Sequence, residues 1–318
     1  MAKQQLSDKE LESIAMKNAI DGFKKSKENK GTDMSSTQTH STAQQVTEMP
    51  QSNMPTMNTD MGNYETVATK ETDPDLIIGF ENVQLPSKGM YYPNKLSEVR
   101  VEYMTAKDED ILTTPSLIQS GEALDLILNK KIKTPNVDIN TLLIGDQNAI
   151  ALFLRASSYG HDYQVEVTDP RNGKSFSYTV DLRKIKYKEI SETPDQNGLF
   201  SFHLPMRKKN IKFRLLNSSD SKRIISDVEH QVEAGYTSIA EFGSMKLKAH
   251  IVEIEGKTDR GYITRFVDAM PAGDALKLRI KILEVTPDLD LLYEFTCSDG
   301  YKFKTPLVMG IDFFFPSL

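Results

Sequence analysis

One cysteine, Cys297, stands in 318 residues, and there is no tryptophan. A lone thiol excludes an intrachain disulfide. Histidines number five, His40, His161, His203, His230 and His250, and none falls at H-E-x-x-H or another ligand spacing, so no zincin or metallohydrolase signature is written here. Nothing at the start reads as a secretory h-region, and no apolar run is long enough to span a bilayer. The chain is therefore expected to be made and to act in a reducing cytoplasm, with no membrane partner. Strong charge of either sign is also missing: the formal net charge is −6 and the pI near 5.5, which argues against a broad nucleic-acid-binding face. Gly256-Lys257-Thr258 resembles the end of a phosphate-binding loop, but Ile251 stands where its first glycine belongs, and no nucleotide site is expected. No catalytic residue, cofactor, metal or small-molecule substrate is nominated.

What is present is organised around Tyr163 to Leu182. Tyr163, Val165 and Val167 alternate on one run and Phe176, Tyr178 and Val180 on the next, the period of half-buried strands. Between them, Asp169-Pro170-Arg171-Asn172-Gly173 carries the chemistry of a tight turn: proline pre-sets φ, while asparagine and glycine tolerate the left-handed region. A zinc knuckle has the frame C-P-x-C-G between strands, because such a turn brings two thiolates to one metal. Here Asp169 and Asn172 stand where the thiols would. The frame recurs at Cys297-Ser298-Asp299-Gly300, where Cys297 takes the first ligand position and Gly300 the second. Cys297 reads as a knuckle remnant or a small buried apolar group; the alternative, a cysteine-dependent enzyme using Cys297, would need a histidine base.

Beyond these turns, Tyr103 to Leu112, Leu142-Leu143-Ile144-Gly145-Asp146, Leu154-Arg155 with Ser158-Tyr159-Gly160, and the ending Cys297 through Asp312-Phe313-Phe314-Phe315-Pro316 form a recognisable series. Over about Leu76 to Pro316 the chain resembles the baseplate hub proteins of T-even-like contractile-tailed bacteriophages. The resemblance implies a structural or hub-assembly role exercised through contacts with other hub or tail proteins, in the virion and, during assembly, in the host cytoplasm. Many relatives carry true C-P-x-C-G turns. The departures at Asp169, Asn172 and Gly300 imply turns without zinc.

In chain order, residues 1–29 are expected to form an amphipathic helix, with Ser7 as N-cap, Glu10 three residues on, and Leu11, Ile14 and Phe23 near one stripe. Residues 30–74 are rich in Ser, Thr, Gln, Asn and Met with almost no aliphatics, the composition of a disordered linker. A first α+β half spans 75–195 and contains the hairpin 163–182. In it Thr105 with Asp108 makes a cap that accounts for the acidic cluster Asp108-Glu109-Asp110, Leu124, Leu128 and Ile132 lie at helical spacing, and Asp146 caps a helix that turns Ile150, Phe153, Leu154 and Ser157 inward and ends at Gly160. A second half, 196–318, repeats the order: Leu204-Pro205, a strand near Ile211 to Leu215, and an Asn217-x-x-Asp220 cap. It continues with an alternating strand-like run from Leu247 to Glu255, a helix near Ile263, another capped at Asp274, and the hairpin 293–306. The fold expected is α+β, two related halves each with a knuckle-like hairpin. Phe313, Phe314 and Phe315 cannot all face one buried side of a strand, so at least one is expected to meet another surface, and with Leu11, Ile14 and Phe23 they are the candidate partner-binding residues.

Overall fold

A computed structural model of the chain describes residues 78–190, 192–234, 242–309 and 311–314. The helix expected over 1–29, the linker expected over 30–74, and with them Leu11, Ile14, Phe23 and also Phe315, lie outside the described residues. The described chain is α+β, helices interleaved with small antiparallel sheets.

The first strands, β1 (Phe80–Gln84) and β2 (Glu98–Glu102), pair with Val83 opposite Val99. Val99 and Val101 alternate into the core. Thr105 then starts α1 (Ala106–Thr113), its backbone N–H and its hydroxyl both donating to Asp108 Oδ2 at 2.8 Å. Two short helices follow, α2 (Pro115–Ser120) and α3 (Ala123–Lys131), and then the long α4 (Ile144–Tyr159). Ile150 and Leu154 of α4 are buried, as their spacing requires, and Gly160 ends the helix at φ 84°. Ser157 is exposed, against expectation. The inward position beside Leu154 belongs to Arg155, which is 2% exposed because its Nε donates to the Phe313 carbonyl at 2.9 Å and one terminal nitrogen to the Gly160 carbonyl at 3.2 Å. The chain then forms the hairpin β3 (Asp162–Thr168) and β4 (Ser175–Asp181).

The second stretch opens the same way. Strands β5 (Leu199–Leu204) and β6 (Lys209–Arg214) form a hairpin that β7 (Ile251–Ile254) extends to three strands in the order β5-β6-β7. Asn217 and Asp220 cap α5 (Ser218–Glu233) reciprocally: the Asp220 N–H donates to Asn217 Oδ1 at 2.9 Å, and the Asn217 N–H to Asp220 Oδ2 at 3.2 Å. The alternating run expected as a strand from Leu247 to Glu255 divides instead into the end of α6 (Phe242–His250) and the four residues of β7. Within it Leu247 and Ile251, four apart, are buried, so one helical turn separates the inward positions. Helices α7 (Arg260–Asp268) and α8 (Ala272–Val285) lead to the last hairpin, β8 (Leu292–Thr296) with β9 (Lys302–Pro306), and to a 3-10 turn over Ile311–Phe314.

Two apolar clusters hold this arrangement. The first gathers β1, β2, α1, α3, α4 and the β3–β4 hairpin; the second gathers the β5-β6-β7 sheet with α6, α7 and α8. The β8–β9 hairpin and the final turn cross back. Phe295, Leu307, Phe313 and Phe314 pack in the first cluster, although they follow the second in sequence. Tyr92 packs against both clusters, and the Tyr91 hydroxyl donates to the Val285 carbonyl at 3.1 Å.

Candidate functional site: paired turns and buried carboxylates

The β3–β4 and β8–β9 hairpins lie against one another through their aromatic faces. Tyr178 meets Phe295 edge-on at 5.1 Å and Phe176 meets Phe303 at 6.4 Å between centroids, geometry in which ring edges meet ring faces. That face is the one the period-two pattern points inward. At its end the two turns come into contact. In the first, the Asp169 N–H donates to the Lys174 carbonyl and the Gly173 N–H to the Asp169 carbonyl, both at 2.9 Å. In the second, the Cys297 N–H donates to the Tyr301 carbonyl at 2.8 Å and the Gly300 N–H to the Cys297 carbonyl at 2.9 Å. The second turn is one residue tighter. Gly173 (φ 70°) and Gly300 (φ 85°) supply the left-handed conformation, whereas Asn172 does not adopt it; its side chain instead donates to Asp169 Oδ2 and accepts from the Lys174 N–H.

The knuckle positions are thus brought together, but the cation between them is organic. Arg171 reaches from the first turn to both carboxylates, 2.7 Å from Asp169 Oδ2 and 2.8 Å from Asp299 Oδ2, and its guanidinium lies 4.0 Å from the Tyr301 ring centroid. The Arg171 side chain and backbone N–H hold the Asp169 carboxyl down, at a pKa of about 2. The Cys297 thiol is 8% exposed and donates to Asp169 Oδ2 at 3.5 Å. Burial pushes its pKa up, and so does the adjacent carboxylate, opposite to what activates a thiolate. A structural zinc site asks for four soft or imidazole ligands. One thiol, one asparagine and a carboxylate already held by arginine do not fit that ion, and among the described residues no group of three His, Cys, Asp or Glu is placed to hold a metal.

The other buried carboxylates also serve the chain itself. Asp108 goes beyond its cap: it is fully buried, 2.6 Å from Lys130 Nζ and 2.5 Å from Lys131 Nζ, and Lys131, itself 1% exposed, reaches Glu102 at 3.2 Å. Burial alone would raise the Asp108 pKa, yet the two ammonium groups hold it well below the usual carboxylate range. Asp146 and Asp274 do not cap their helices as expected. Each is the third residue of its helix, preceded by glycine, and each reaches across to the loop after an earlier Leu-Pro. Asp146 accepts from the Ser87 N–H at 2.9 Å and from the Tyr92 hydroxyl. Asp274 accepts from the Met206 and Arg207 N–H groups, both at 2.8 Å. Both carboxylates are 0% exposed and sit at the positive end of a helix. The shared signal, Leu-Pro followed by a distant Gly-Asp, is in the sequence at 85–86 with 145–146 and at 204–205 with 273–274, but a local reading of caps passes over it.

Phe313 and Phe314 are 2% and 1% exposed. Phe313 stands edge-on to Tyr163 at 5.0 Å, so the other surface it meets is the first hairpin of its own chain. These two rings are core residues, and their burial leaves no aromatic face on them for a partner. A cleft of 520 Å³ runs between the clusters, bordered by Tyr91, Asn136, Asn197, Arg214 and Asn217; Arg214 there is already paired with Asp220 at 2.6 Å. No helix among the described residues is long and apolar enough to cross a membrane.

Residues 79–316 match the family described as T4 bacteriophage base plate protein. No curated protein and no solved structure matches the chain. The match runs from the first strand through the last turn, taking in both hairpins, both Gly-Asp staples and the buried C-terminal rings. The chain belongs to the T4 bacteriophage base plate protein family.

Proposed function

We propose that the chain is a structural component of the base plate hub that works through contacts with other hub or tail proteins, in the virion and, before that, in the host cytoplasm during assembly. The observation that carries this reading is the family match over nearly all of the described fold. The local chemistry agrees with it. The carboxylates Asp108, Asp146, Asp169 and Asp274 are each engaged by cations, hydroxyls or N–H groups of the same chain, and burial and Asp169 push the pKa of the Cys297 thiol up. Mass spectrometry of purified tails tests the reading: the chain is expected in the particle at a fixed ratio to other base plate proteins. Recovery only from infected-cell extracts would make it an assembly factor instead.

The two halves are related in this proposal, over 75–195 and 196–318. Each has a strand ending in Leu-Pro, a second strand, a box-capped helix, a Gly-Asp staple and a final hairpin, and the last hairpin of the second half crosses to the core of the first. The facing turns are a former metal pair in which Arg171 supplies the positive charge. Elemental analysis of the purified chain is expected to find no stoichiometric zinc; one zinc per chain would overturn this part.

A further inference from the structure

We infer that the concave face formed by the β5–β6 turn and α7 docks an acidic segment of a neighbouring protein chain. The hollow measures 390 Å³ and is lined by Arg207, Lys209, Tyr262, Arg265 and Phe266. Lys208 lies within the same turn, and Lys257 Nζ stands 4.7 Å from the Tyr262 ring centroid. On a chain of net charge −6, three cations line this hollow and a fourth, Lys257, stands over one of its rings, with no carboxylate among the lining.

Among the described residues these cations are not ion-paired within the chain, unlike several exposed cations elsewhere: Lys212 lies 3.3 Å from Glu253, Lys302 3.0 Å from Glu294, and Lys222 pairs with Asp125. None of Arg207, Lys208, Lys209, Lys257 or Arg265 has a carboxylate within ion-pair distance among the described residues. The acids close by are engaged otherwise. Asp274 holds the Met206 and Arg207 N–H groups, Asp259 accepts from the Tyr262 N–H at 2.7 Å, Glu255 accepts from the Asn210 N–H at 2.5 Å, and Asp268 pairs with Lys248 at 2.5 Å.

The face is also held in shape. The turn is pinned by Asp274 from below, and Arg207 donates to the Ala269 carbonyl while its guanidinium stays 5.6 Å from the Phe266 ring. Tyr262 and Phe266 are neighbours on one side of α7, their centroids 6.2 Å apart. An occupant therefore meets a fixed ring pair edged by cations. Carboxylates satisfy the cations and an apolar side chain covers the rings, a combination that an acidic peptide with an aromatic or aliphatic residue offers. A nucleic-acid strand fits less well, because tracking phosphates needs a basic stripe longer than this hollow. The protein class of the occupant rests on the contact role proposed above; the geometry of the face does not.

The test uses the full chain and a labelled synthetic peptide in which Asp and Glu flank a Phe, with single-stranded oligothymidylate as the alternative ligand, followed by fluorescence anisotropy at two salt concentrations. The peptide is expected to bind, more weakly at high salt, and to lose about tenfold or more in affinity in the Lys209→Glu, Arg265→Glu double variant, a difference of about 1.4 kcal/mol. Phe266→Ala is expected to weaken the peptide at unchanged salt dependence. Both variants are checked for parental unfolding midpoints, and Lys257→Glu serves if the double variant unfolds. Equal peptide affinity in parent and charge-reversal variant, or oligothymidylate binding tighter than the peptide, overturns the proposal. Because these measurements need no particle, they fail or succeed independently of whether the chain is found in purified tails.

Discussion

The loops that follow the two Leu-Pro pairs are held by the same device and put to different use. Residues 85–97 separate β1 from β2, whereas residues 205–208 suffice between β5 and β6. Both are tied to a buried aspartate at the third position of a helix. The short turn needs only two backbone N–H groups to satisfy that carboxylate. The long loop cannot be fixed by one backbone contact, and Tyr92 is added: its hydroxyl donates to Asp146 and accepts from the Leu143 N–H at 2.9 Å, while Tyr91 reaches the second core. Loop length thus decides the outcome. The long loop is consumed in joining the two cores, and the short turn leaves Arg207, Lys208 and Lys209 pointing outward.

The sharpest way to break this comparison is to remove the carboxylates. Asp146→Ala leaves the Ser87 N–H and the Tyr92 hydroxyl without their acceptor, and hydrogen bonds to a charged group are each worth about 1.5–3 kcal/mol, so a loss of about 4 kcal/mol is expected in urea unfolding. Asp274→Ala is expected to cost less, about 3 kcal/mol, because the turn it frees is short and near water. Equal or reversed costs would mean that Tyr92 does not depend on Asp146.

The glycines beside the staples sharpen the same contrast. A Cβ on Gly145 would lie 2.1 Å from the Pro287 carbonyl oxygen, a backbone atom that cannot move alone. On Gly273 it would lie 2.8 Å from the Met206 sulfur, the far end of a flexible and exposed side chain. Gly145→Ala is expected to destabilise by about 3 kcal/mol and Gly273→Ala by under about 1 kcal/mol. A thermal midpoint for Gly145→Ala within a degree of the parent would place the α4–Pro287 approach in error.

Much of this fold was legible from local pattern, and what was missed had partners far along the chain. The hairpins, the Thr105–Asp108 and Asn217–Asp220 boxes and the end of α4 at Gly160 follow from periods and spacings of a few residues. Asp146 and Asp274 have the sequence position of first-turn acids, and nothing local says that their acceptor oxygens point at residues some sixty or seventy positions earlier. Arg155 reads as a surface residue until Phe313 returns to meet it. The same return explains the C-terminal rings: three consecutive phenylalanines looked like an exposed anchor because the hairpin that receives Phe313 and Phe314 lies more than a hundred residues away.

Acid separates α6 from the β3–β4 turn. His250, at the end of α6, donates through Nδ1 to the Arg214 carbonyl at 2.7 Å, and burial, with Lys246 and Arg214 nearby, lowers its pKa from 6.5 to about 4. A histidine whose folded pKa is depressed binds its proton more readily when unfolded, so stability is full above pH 6.5 and falls as pH drops toward 4. The loss is about 3 kcal/mol over that window. Asp169 in the turn of the β3–β4 hairpin, depressed to about 2, loses its contribution only as pH falls below the ordinary aspartate value of 3.8 toward 2. His250→Gln is expected to flatten the upper window and leave the lower. A variant with the parental slope between pH 6.5 and 4 would move that sensitivity to another group.

The smallest effects lie in the clasp between the hairpin turns, where the arginine is expected to outweigh the cysteine. Removing Arg171 strips two of the donors to the Asp169 side chain, which is 6% exposed, and leaves it with its own turn's N–H, Asn172 and Cys297. The Asp299 end of the bridge is open to water and adds little. Arg171→Ala is therefore expected to lower the unfolding midpoint, and Arg171→Lys to recover part of the loss, since one ammonium cannot span both carboxylates as the guanidinium fork does. Cys297→Ser removes the sulfur but keeps a donor, and a hydroxyl facing a carboxylate makes a stronger hydrogen bond than a thiol, which offsets the poorer burial of oxygen. A change within about 0.5 kcal/mol is expected, and added zinc should leave the unfolding midpoints of parent and variant alike. If Cys297→Ser costs more than Arg171→Ala, the thiol and not the guanidinium joins the hairpins, and the reading of these turns as a clasp closed by arginine is wrong.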